Sequence, residues 1–351
     1  MVPLRALEIV KEFGSDSLRK KIDVCNSRSI SIPVLPVSAN EQDSGMATVA
    51  ILLCTLHGER FLSEQLASIE AQTHKHWNVF VSDDGSNDGT LDVLDHYRSQ
   101  WGDERISIFS GPEQGVTANF LSLTCKAEIQ ADYYAFADQD DIWEADKLAR
   151  SIDRLQEVSA GVPALYCSRT RLVNERGREL GFSPLFTRRP SFANALVQNI
   201  GGGNTMVYNK AARNLLCEAG GDVYGATHDW WAYMVISGCG GKIIYDPYPS
   251  IRYRQHAKNL VGANASWMSK LMRTGKLLRG SFRKMNDRNA RSLLRIASRL
   301  TPENRRILNE YCAARQSALP HRLYGIKRSG IYRQTLLGNL GLIAAAILNK
   351  L

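Results

Sequence analysis

Three carboxylates fall within four residues, at Asp138, Asp140 and Asp141, directly behind the apolar run Tyr133-Tyr134-Ala135-Phe136-Ala137. A run of that length and type reads as a short buried strand, which puts the acids at its carboxyl end. In an open α/β sheet, ligands bind at that end of the strands. Acids this close repel one another unless a cation joins them. Hard divalent cations take oxygen ligands, and Mg²⁺ is usually shared between one or two carboxylates and the phosphates of a substrate. The chemistry suggested is therefore a metal-bridged, phosphorylated ligand. The competing reading is a solvated acidic turn in which Asp140 or Asp141 caps the following helix.

The elements that must position these acids can be read from hydrophobic period. Val49 to Cys54 is a continuous apolar run, as expected of a strand buried on both faces. A helix pattern over residues 61–72 follows, with Leu62, Leu66 and Ile69 on one side. Strands are expected at 77–82, 105–109, 132–137 and 164–168, and helices at 91–99, 116–127 and 144–159. Residues 169–186 read as a hairpin and loop. Strand–helix alternation of this kind means an α/β fold with a mostly parallel sheet covered on both faces. Beyond it the pattern loosens: Gly201-Gly202-Gly203, a helix from about His228, strands at 242–245 and 250–254, and only helix signals from Ala265 onward.

Three strand ends carry polar clusters: Thr55-Leu56-His57-Gly58-Glu59-Arg60, Asp83-Asp84-Gly85-Ser86 and Asp138-Gln139-Asp140-Asp141. Each alone suits a turn, since Asp and Gly favour turns and Asp88 can cap the next helix. At equivalent ends of one parallel sheet the three would line a single crevice. Neither G-x-G-x-x-G nor a Walker loop follows the first strand. A nucleotide here is therefore not cradled by glycines, and a metal would carry more of the phosphate binding.

Charge divides the chain. Residues 266–351 hold 18 Lys/Arg against 3 Asp/Glu, whereas residues 1–265 hold 26 against 32. A basic tail on an acidic body suits an anionic surface. The seven cysteines are scattered, odd in number and without a CxxC pair, which argues against a disulfide framework or zinc site and for a reducing compartment. No secretory signal is expected at the start, and no run reaches the eighteen apolar residues of a spanning helix. Residues 1–45 read as a weakly ordered extension, residues 46–262 as the catalytic domain and 263–351 as a basic helical region.

With Gly58-Glu59-Arg60-Phe61-Leu62, Asp83-Asp84-Gly85-Ser86, Asp138-Gln139-Asp140-Asp141-Ile142-Trp143, His228-Asp229-Trp230-Trp231 and Tyr253-Arg254-Gln255-His256 in this order, the chain resembles family 2 glycosyltransferases of the GT-A fold, a Rossmann-like mixed sheet. It is most similar to the rhamnosyltransferase-like members that build bacterial surface polysaccharides such as O-antigen. The resemblance implies that Thr55, Glu59, Asp83 and Asp84 hold the nucleotide of a nucleoside-diphosphate sugar, with Asp138 and Arg254 on the donor as well. It implies that Asp138 and Asp140 bind Mn²⁺ or Mg²⁺ and that Asp229 is the general base. Relatives usually read Tyr-Asn-Gly where this chain has Leu56-His57-Gly58.

The implied chemistry is coherent. An acceptor hydroxyl attacks the anomeric carbon, a divalent cation offsets charge on the departing diphosphate, and one base takes the hydroxyl proton. A single displacement of this kind inverts the anomeric centre. Asp229 also suits simple helix capping, and Trp230 and Trp231 suit either the acceptor site or the core. His256 suits the metal, the diphosphate or an ordinary hydrogen bond. The expected partners are a nucleoside-diphosphate sugar, with dTDP-L-rhamnose the donor of the resembled family, and a glycan or lipid-linked acceptor. The basic tail is expected either to meet an anionic membrane or to pack on the catalytic domain, with no nucleic acid bound. The expected location is cytoplasmic, either free or peripheral on the inner face of the cell membrane. Two rival readings are a sugar nucleotidyltransferase, which needs a basic phosphate loop near the first strand, and a nucleic-acid-binding protein acting through the tail.

Overall fold

A computed structural model describes residues 46–221, 223, 226–256 and 281–351; the 1–45 extension and the boundary near 262 lie outside them. The first strand, β1 (Val49–Thr55), is buried along its whole length. Its odd and even residues supply two cores on opposite faces of the sheet. Val49, Ile51 and Leu53 join one core, with Leu62, Leu66 and Ile69 of α1 (Glu59–Glu70), Leu94 of α2 (Thr90–Trp101) and Leu148, Ile152 and Leu155 of α4 (Lys147–Gln156). Ala50, Leu52 and Cys54 join the other, with Phe120, Leu121 and Leu123 of α3 (Val116–Thr124). A run that must bury both faces is why β1 is apolar without alternation.

β1 pairs in parallel with β2 (Trp77–Asp83) and β4 (Tyr133–Ala137), and β2 with β3 (Ile106–Ser110). The register sets Thr55 opposite Asp83, and Leu53 opposite Ala137. The three polar clusters therefore emerge side by side, as expected for one crevice.

The far half of the sheet is mixed. β8 (Val207–Asn209) runs antiparallel to both β4 and β6 (Ala164–Asn174), and β6 runs parallel to β9 (Lys242–Gln255). β5 (Ile142–Trp143) closes the edge against β9, and β7 (Glu179–Phe182) forms the expected hairpin with β6. The order β3-β2-β1-β4-β8-β6-β9-β5 is the Rossmann-like mixed sheet that the resemblance implied; the mostly parallel sheet expected from the strand–helix pattern is its first half, β3-β2-β1-β4.

Two expectations shift. The strands at 242–245 and 250–254 are one strand, because β6 follows it through a break in register between Ser168 and Arg171. The helix after the acids begins at Lys147 rather than 144, since Ile142 and Trp143 are taken up as β5.

The second core continues through α5 (Phe192–Ala195), α6 (Lys210–Ala219) and α7 (His228–Gly238). Into it pack α8 (Ser281–Arg295), α9 (Pro302–Gln316), α10 (Leu319–Ser329) and α11 (Leu336–Ile347), through Leu293, Leu308, Tyr311, Ile326 and Leu342. Residues 46–351 form one unit. Asn304 joins α9 to the end of α7 by donating to the carbonyls of Ser237 and Gly238, both at 3.0 Å.

Candidate active site

The loops beyond β1, β2 and β4 are tied to one another by side chains. Asp83 accepts the Thr55 hydroxyl at 2.7 Å, the Ser86 hydroxyl at 2.6 Å and the amides of Ser86 and Gly85 at 2.7 and 3.2 Å. Its buried carboxylate is thus occupied by the β1–β2 turn, and Thr55 is spent on it. Asp84 accepts the amides of Glu113 and Gly115 at 2.7 and 3.2 Å and so anchors the loop after β3. Exposed Glu59 accepts the Gly89 amide at 3.1 Å. Of these four expected nucleotide residues, Asp83 and Thr55 shape the crevice wall, while Asp84 and Glu59 reach its surface.

His57 sits at φ 51°, in the left-handed region. Asn and His are among the few side chains enriched there, which accounts for a His where Asn is usual. Its amide donates to the Ser86 hydroxyl at 2.9 Å, and its Nδ1 accepts from the Asn87 amide at 3.3 Å.

Gln139, which the sequence reading passed over, clamps this loop to the acidic turn. Its Oε1 accepts the Leu56 amide at 2.8 Å, and its Nε2 donates to the Leu56 carbonyl at 3.0 Å. A Cβ at Gly58 would stand 2.4 Å from that Oε1, so a larger residue there would push the Gln139 side chain out of its clamp.

The acids of the turn face different surroundings. Asp141 is fully buried; it accepts Asn204 Nδ2 at 2.5 Å and the Arg254 amide at 3.3 Å. Burial, with Asp140 and Asp138 adding to it, holds its carboxyl well above the usual range. Below it Lys147 is buried, with Nζ 3.5 Å from the centre of the Trp143 ring, and burial pushes its ammonium down to about 7. Asp138 is pushed up to about 8 by burial, by Asp140 and by Asp229. Asp140 Oδ2 lies 2.7 Å from His256 Nε2, and the His256 ring stacks on Phe61 at 5.4 Å.

Arg254 lies behind this turn rather than in the crevice. It is 1% exposed. Its Nε donates to the Asp140 carbonyl at 3.0 Å, Nη1 to the Glu175 carbonyl at 2.8 Å and Nη2 to Glu64 at 2.6 Å, and the guanidinium covers the Phe61 ring at 4.5 Å. The expected direct contact of Arg254 with the donor gives way to a pin that holds the acidic turn. A Lys cannot reproduce the fork. Arg254→Lys cannot serve the two partly buried carbonyls and Glu64 together, and we expect it to lower stability by ~1–2 kcal/mol, read as a loss of Tm. Unchanged Tm would contradict the pin.

Asp229 is in the first turn of α7 and on the same side as the acids, close enough to raise Asp138. Its Oδ2 accepts Asn199 Nδ2 at 2.9 Å and the Gly203 amide at 3.2 Å, while Oδ1 accepts the Trp230 amide at 2.7 Å. Gly203 belongs to a 3₁₀ turn (Gly203–Thr205) just before β8. A Cβ there would lie 2.3 Å from His228 Nε2, so the glycine makes room for the buried imidazole. His228 stacks on Phe120 at 3.8 Å, and burial pushes it down to about 4; it is neutral near pH 7.

The two tryptophans separate. Trp231 is 1% exposed, within the second core, so it offers no surface to an acceptor; a helix turns neighbours about 100° apart, and this one points inward. Trp230 is partly buried and donates Nε1 to the Ala195 carbonyl at 2.7 Å.

Among the described residues no group of three or more His, Cys, Asp and Glu side chains is arranged to hold a metal by itself. Asp138 and Asp140 alone would leave most of a cation's coordination to a ligand, as expected when substrate phosphates complete it.

Against this geometry stand the relatives. The Glycosyl transferase family 2 model matches residues 50–216. The dTDP-rhamnosyl transferase RfbG of Shigella flexneri is 30% identical over 244 residues, covering 66% of this chain and 81% of that one. The UDP-Glc:alpha-D-GlcNAc-diphosphoundecaprenol beta-1,3-glucosyltransferase WfgD of Escherichia coli is 31% identical over 108 residues, 30% of this chain and 40% of its own. Among solved structures, TarS 1–349 of S. aureus with UDP-GlcNAc superposes with a TM-score of 0.49 at 14% identity, covering 81% of this chain and 93% of that one.

Proposed function

The chain belongs to glycosyltransferase family 2, and from that premise we propose that it transfers L-rhamnose from dTDP-L-rhamnose, with inversion, to a glycan or lipid-linked acceptor in surface-polysaccharide synthesis. The observation that carries the mechanism is the grouping of Asp138, Asp140 and Asp229 at the carboxyl end of β4, where Asp229 adds to the charge that raises Asp138. The donor is taken from the likeness to RfbG, and the lipid-linked acceptor from the likeness to WfgD.

In this reading Asp138 and Asp140 hold Mn²⁺ or Mg²⁺, with His256 beside Asp140. The fit rests on Asp138 itself: a carboxyl that burial and two neighbouring acids push up to about 8 is a site short of positive charge. A bound divalent cation would offset the charge that develops on the departing diphosphate. Glu59 and Asp84 face the nucleoside, and Thr55, Asp83 and Gln139 shape the wall against which it rests. Asp229, oriented by Asn199 and the Gly203 amide, takes the proton of the acceptor hydroxyl as that oxygen bonds to the anomeric carbon. The glycosidic bond to the nucleoside diphosphate breaks on the opposite side. Trp230 stands next to the base and borders the acceptor.

The nucleotidyltransferase alternative needs free positive charge in the first loop. Arg60, the basic residue there, pairs with Glu175 at 2.6 Å.

The deciding experiment offers the protein, with Mn²⁺ and acceptor, dTDP-L-rhamnose, UDP-sugars and GDP-mannose. Release of nucleoside diphosphate from dTDP-L-rhamnose alone supports the proposal. Release from another donor only would overturn the sugar, and release from none would overturn the activity.

The cation also has a pH signature. A carboxyl raised to about 8 keeps its proton in the folded chain where the unfolded chain has lost it. Its contribution is thus present at low pH and lost as pH rises between roughly 4 and 8. A cation competes with that proton. Excess Mn²⁺ is expected to raise Tm clearly at about pH 8 and hardly at about pH 5. Equal shifts at both pH values would contradict metal binding at Asp138.

A further inference from the structure

The outermost helix, α11, reverses the usual order of a surface helix. Leu342, Ala345 and Ala346 face the protein and are buried. The solvent-facing arc carries Leu336, Leu337, Leu340, Ile343, Ala344 and Ile347, with no polar side chain among them. Leu336 and Leu337 are 78% and 75% exposed, and Leu340, Ile343 and Ile347 about half exposed. A helix on a soluble surface ordinarily turns charged residues outward, and a contiguous aliphatic face of this size marks a contact with another phase or partner.

The helix is rigidly placed. Arg322 of α10 donates from Nη1 to the Ala346 carbonyl at 2.9 Å. At the other end the Gln334 amide donates to Gln198 Oε1 at 2.8 Å, and Asn194 Nδ2 donates to the Tyr332 carbonyl at 2.9 Å. The segment it is bolted to leads directly into Asn199, the residue that orients Asp229.

We propose that the outer face of α11 inserts into the interface of a bilayer containing anionic phospholipid and holds the base-bearing side of the active site against that surface. Charge selects this occupant over a second copy of the chain. Residues 311–351 hold six Lys/Arg and no Asp or Glu; Arg315 and Arg322 are buried and Arg328 pairs with Glu310, so the rim is made by Lys327, Arg333 and Lys350. A two-fold contact through α11 would set one cationic rim against another. An anionic lipid surface meets both features, burying the aliphatic face while attracting the rim.

The twelve residues of α11 span about 18 Å, short of the ~30 Å hydrocarbon core, so the helix lies in the plane of the interface. No helix among the described residues is long and apolar enough to cross a membrane. The arginine-rich α8, for which the sequence left both membrane contact and packing on the catalytic domain open, turns Ala290 and Leu293 into the core.

The purpose of the contact, meeting a lipid-linked acceptor, rests on the proposed sugar transfer; the contact itself is measured without catalysis. The full chain is sedimented with phosphatidylglycerol–phosphatidylcholine vesicles and with pure phosphatidylcholine vesicles, in the absence of donor. The comparison is the triple variant Leu337→Ser, Leu340→Ser and Ile343→Ser, whose fold is checked by circular dichroism. Because these side chains face solvent, the variant folds. Wild type is expected to bind the anionic vesicles, and the variant to bind at least about tenfold more weakly. In a second measurement, tryptophan placed by Leu340→Trp is expected to shift to the blue and be quenched by brominated lipid. Wild type that stays in the supernatant, or a variant that binds equally, would overturn the proposal. So would a dimer in vesicle-free solution that the triple change dissolves, which assigns the face to a second copy. Vesicle binding without donor turnover would instead fault the sugar-transfer reading alone.

Discussion

Asp229→Asn is expected to lower kcat by ~10²–10⁴-fold, the range ordinarily lost with a general base, while donor affinity stays within a few-fold. The substitution preserves shape but not proton affinity. It also disturbs a defined set of bonds. Oδ2 accepts from two donors, Asn199 Nδ2 and the Gly203 amide, and Oδ1 from the Trp230 amide. Either orientation of the new amide turns an NH₂ toward an existing donor, costing about 1–2 kcal/mol and therefore a small fall in Tm. The measurement is acceptor-dependent transfer across pH, beside donor binding by calorimetry. Activity within about fivefold of wild type would move the base elsewhere and leave Asp229 as a helix-start residue.

The second large effect is expected at Asp140. Asp140→Ala should reduce turnover by ~10³-fold or more, since a catalytic cation supplies several kcal/mol of charge stabilisation, and should abolish the Mn²⁺-dependent rise in Tm. The two readouts separate a lost ligand from a damaged fold. Asp140 is partly exposed and bonded through its side chain to His256, so its removal leaves the core intact. Its neighbour Asp141 is a different case. It is buried and bonded to Asn204 and the Arg254 amide, and Asp141→Ala is expected to cost stability instead. A variant at Asp140 that keeps both turnover and the Mn²⁺ shift would contradict the proposed role.

What could be read in advance followed from local physics. β1, β2 and β4 are short apolar runs that end in acids or turn formers, so both the sheet and the place of its crevice were legible in periods and breaks. Chemical type also singled out Asp138 and Asp140 as candidates; Asp229 was singled out by the resemblance alone. What stayed hidden is long-range. Arg254 reads as a free cation near a phosphate site until Glu64, 190 positions away, is seen beside it. Asp83 shows nothing locally of its hydrogen bonds to Thr55, 28 positions away, and to Ser86. Nothing local distinguishes Trp230 from Trp231, since the choice between surface and core depends on which way α7 is rotated on the sheet. Asn199 and Gln139 carry no signal by type, because each matters only for the partner that the fold brings to it. In α11 the apolar composition was plain, but which side faced out depended on Arg322 and Gln334 fastening the helix in one orientation.

The amide of Gln139 does for Leu56 what one more strand residue would do, giving a donor and an acceptor to the same backbone unit. The β1–β4 ladder is in effect prolonged by a side chain into a region where the main chains have already parted. A borrowed rung of this kind counts residues: it fits only when Leu56 arrives at one fixed distance from Thr55, and Gly58 immediately afterwards meets the same side chain. The first loop is consequently free to change its lettering, as His57 does, but not its length. An insertion between Thr55 and Gly58 is expected to break this rung, whereas a substitution at His57 is expected to leave it in place.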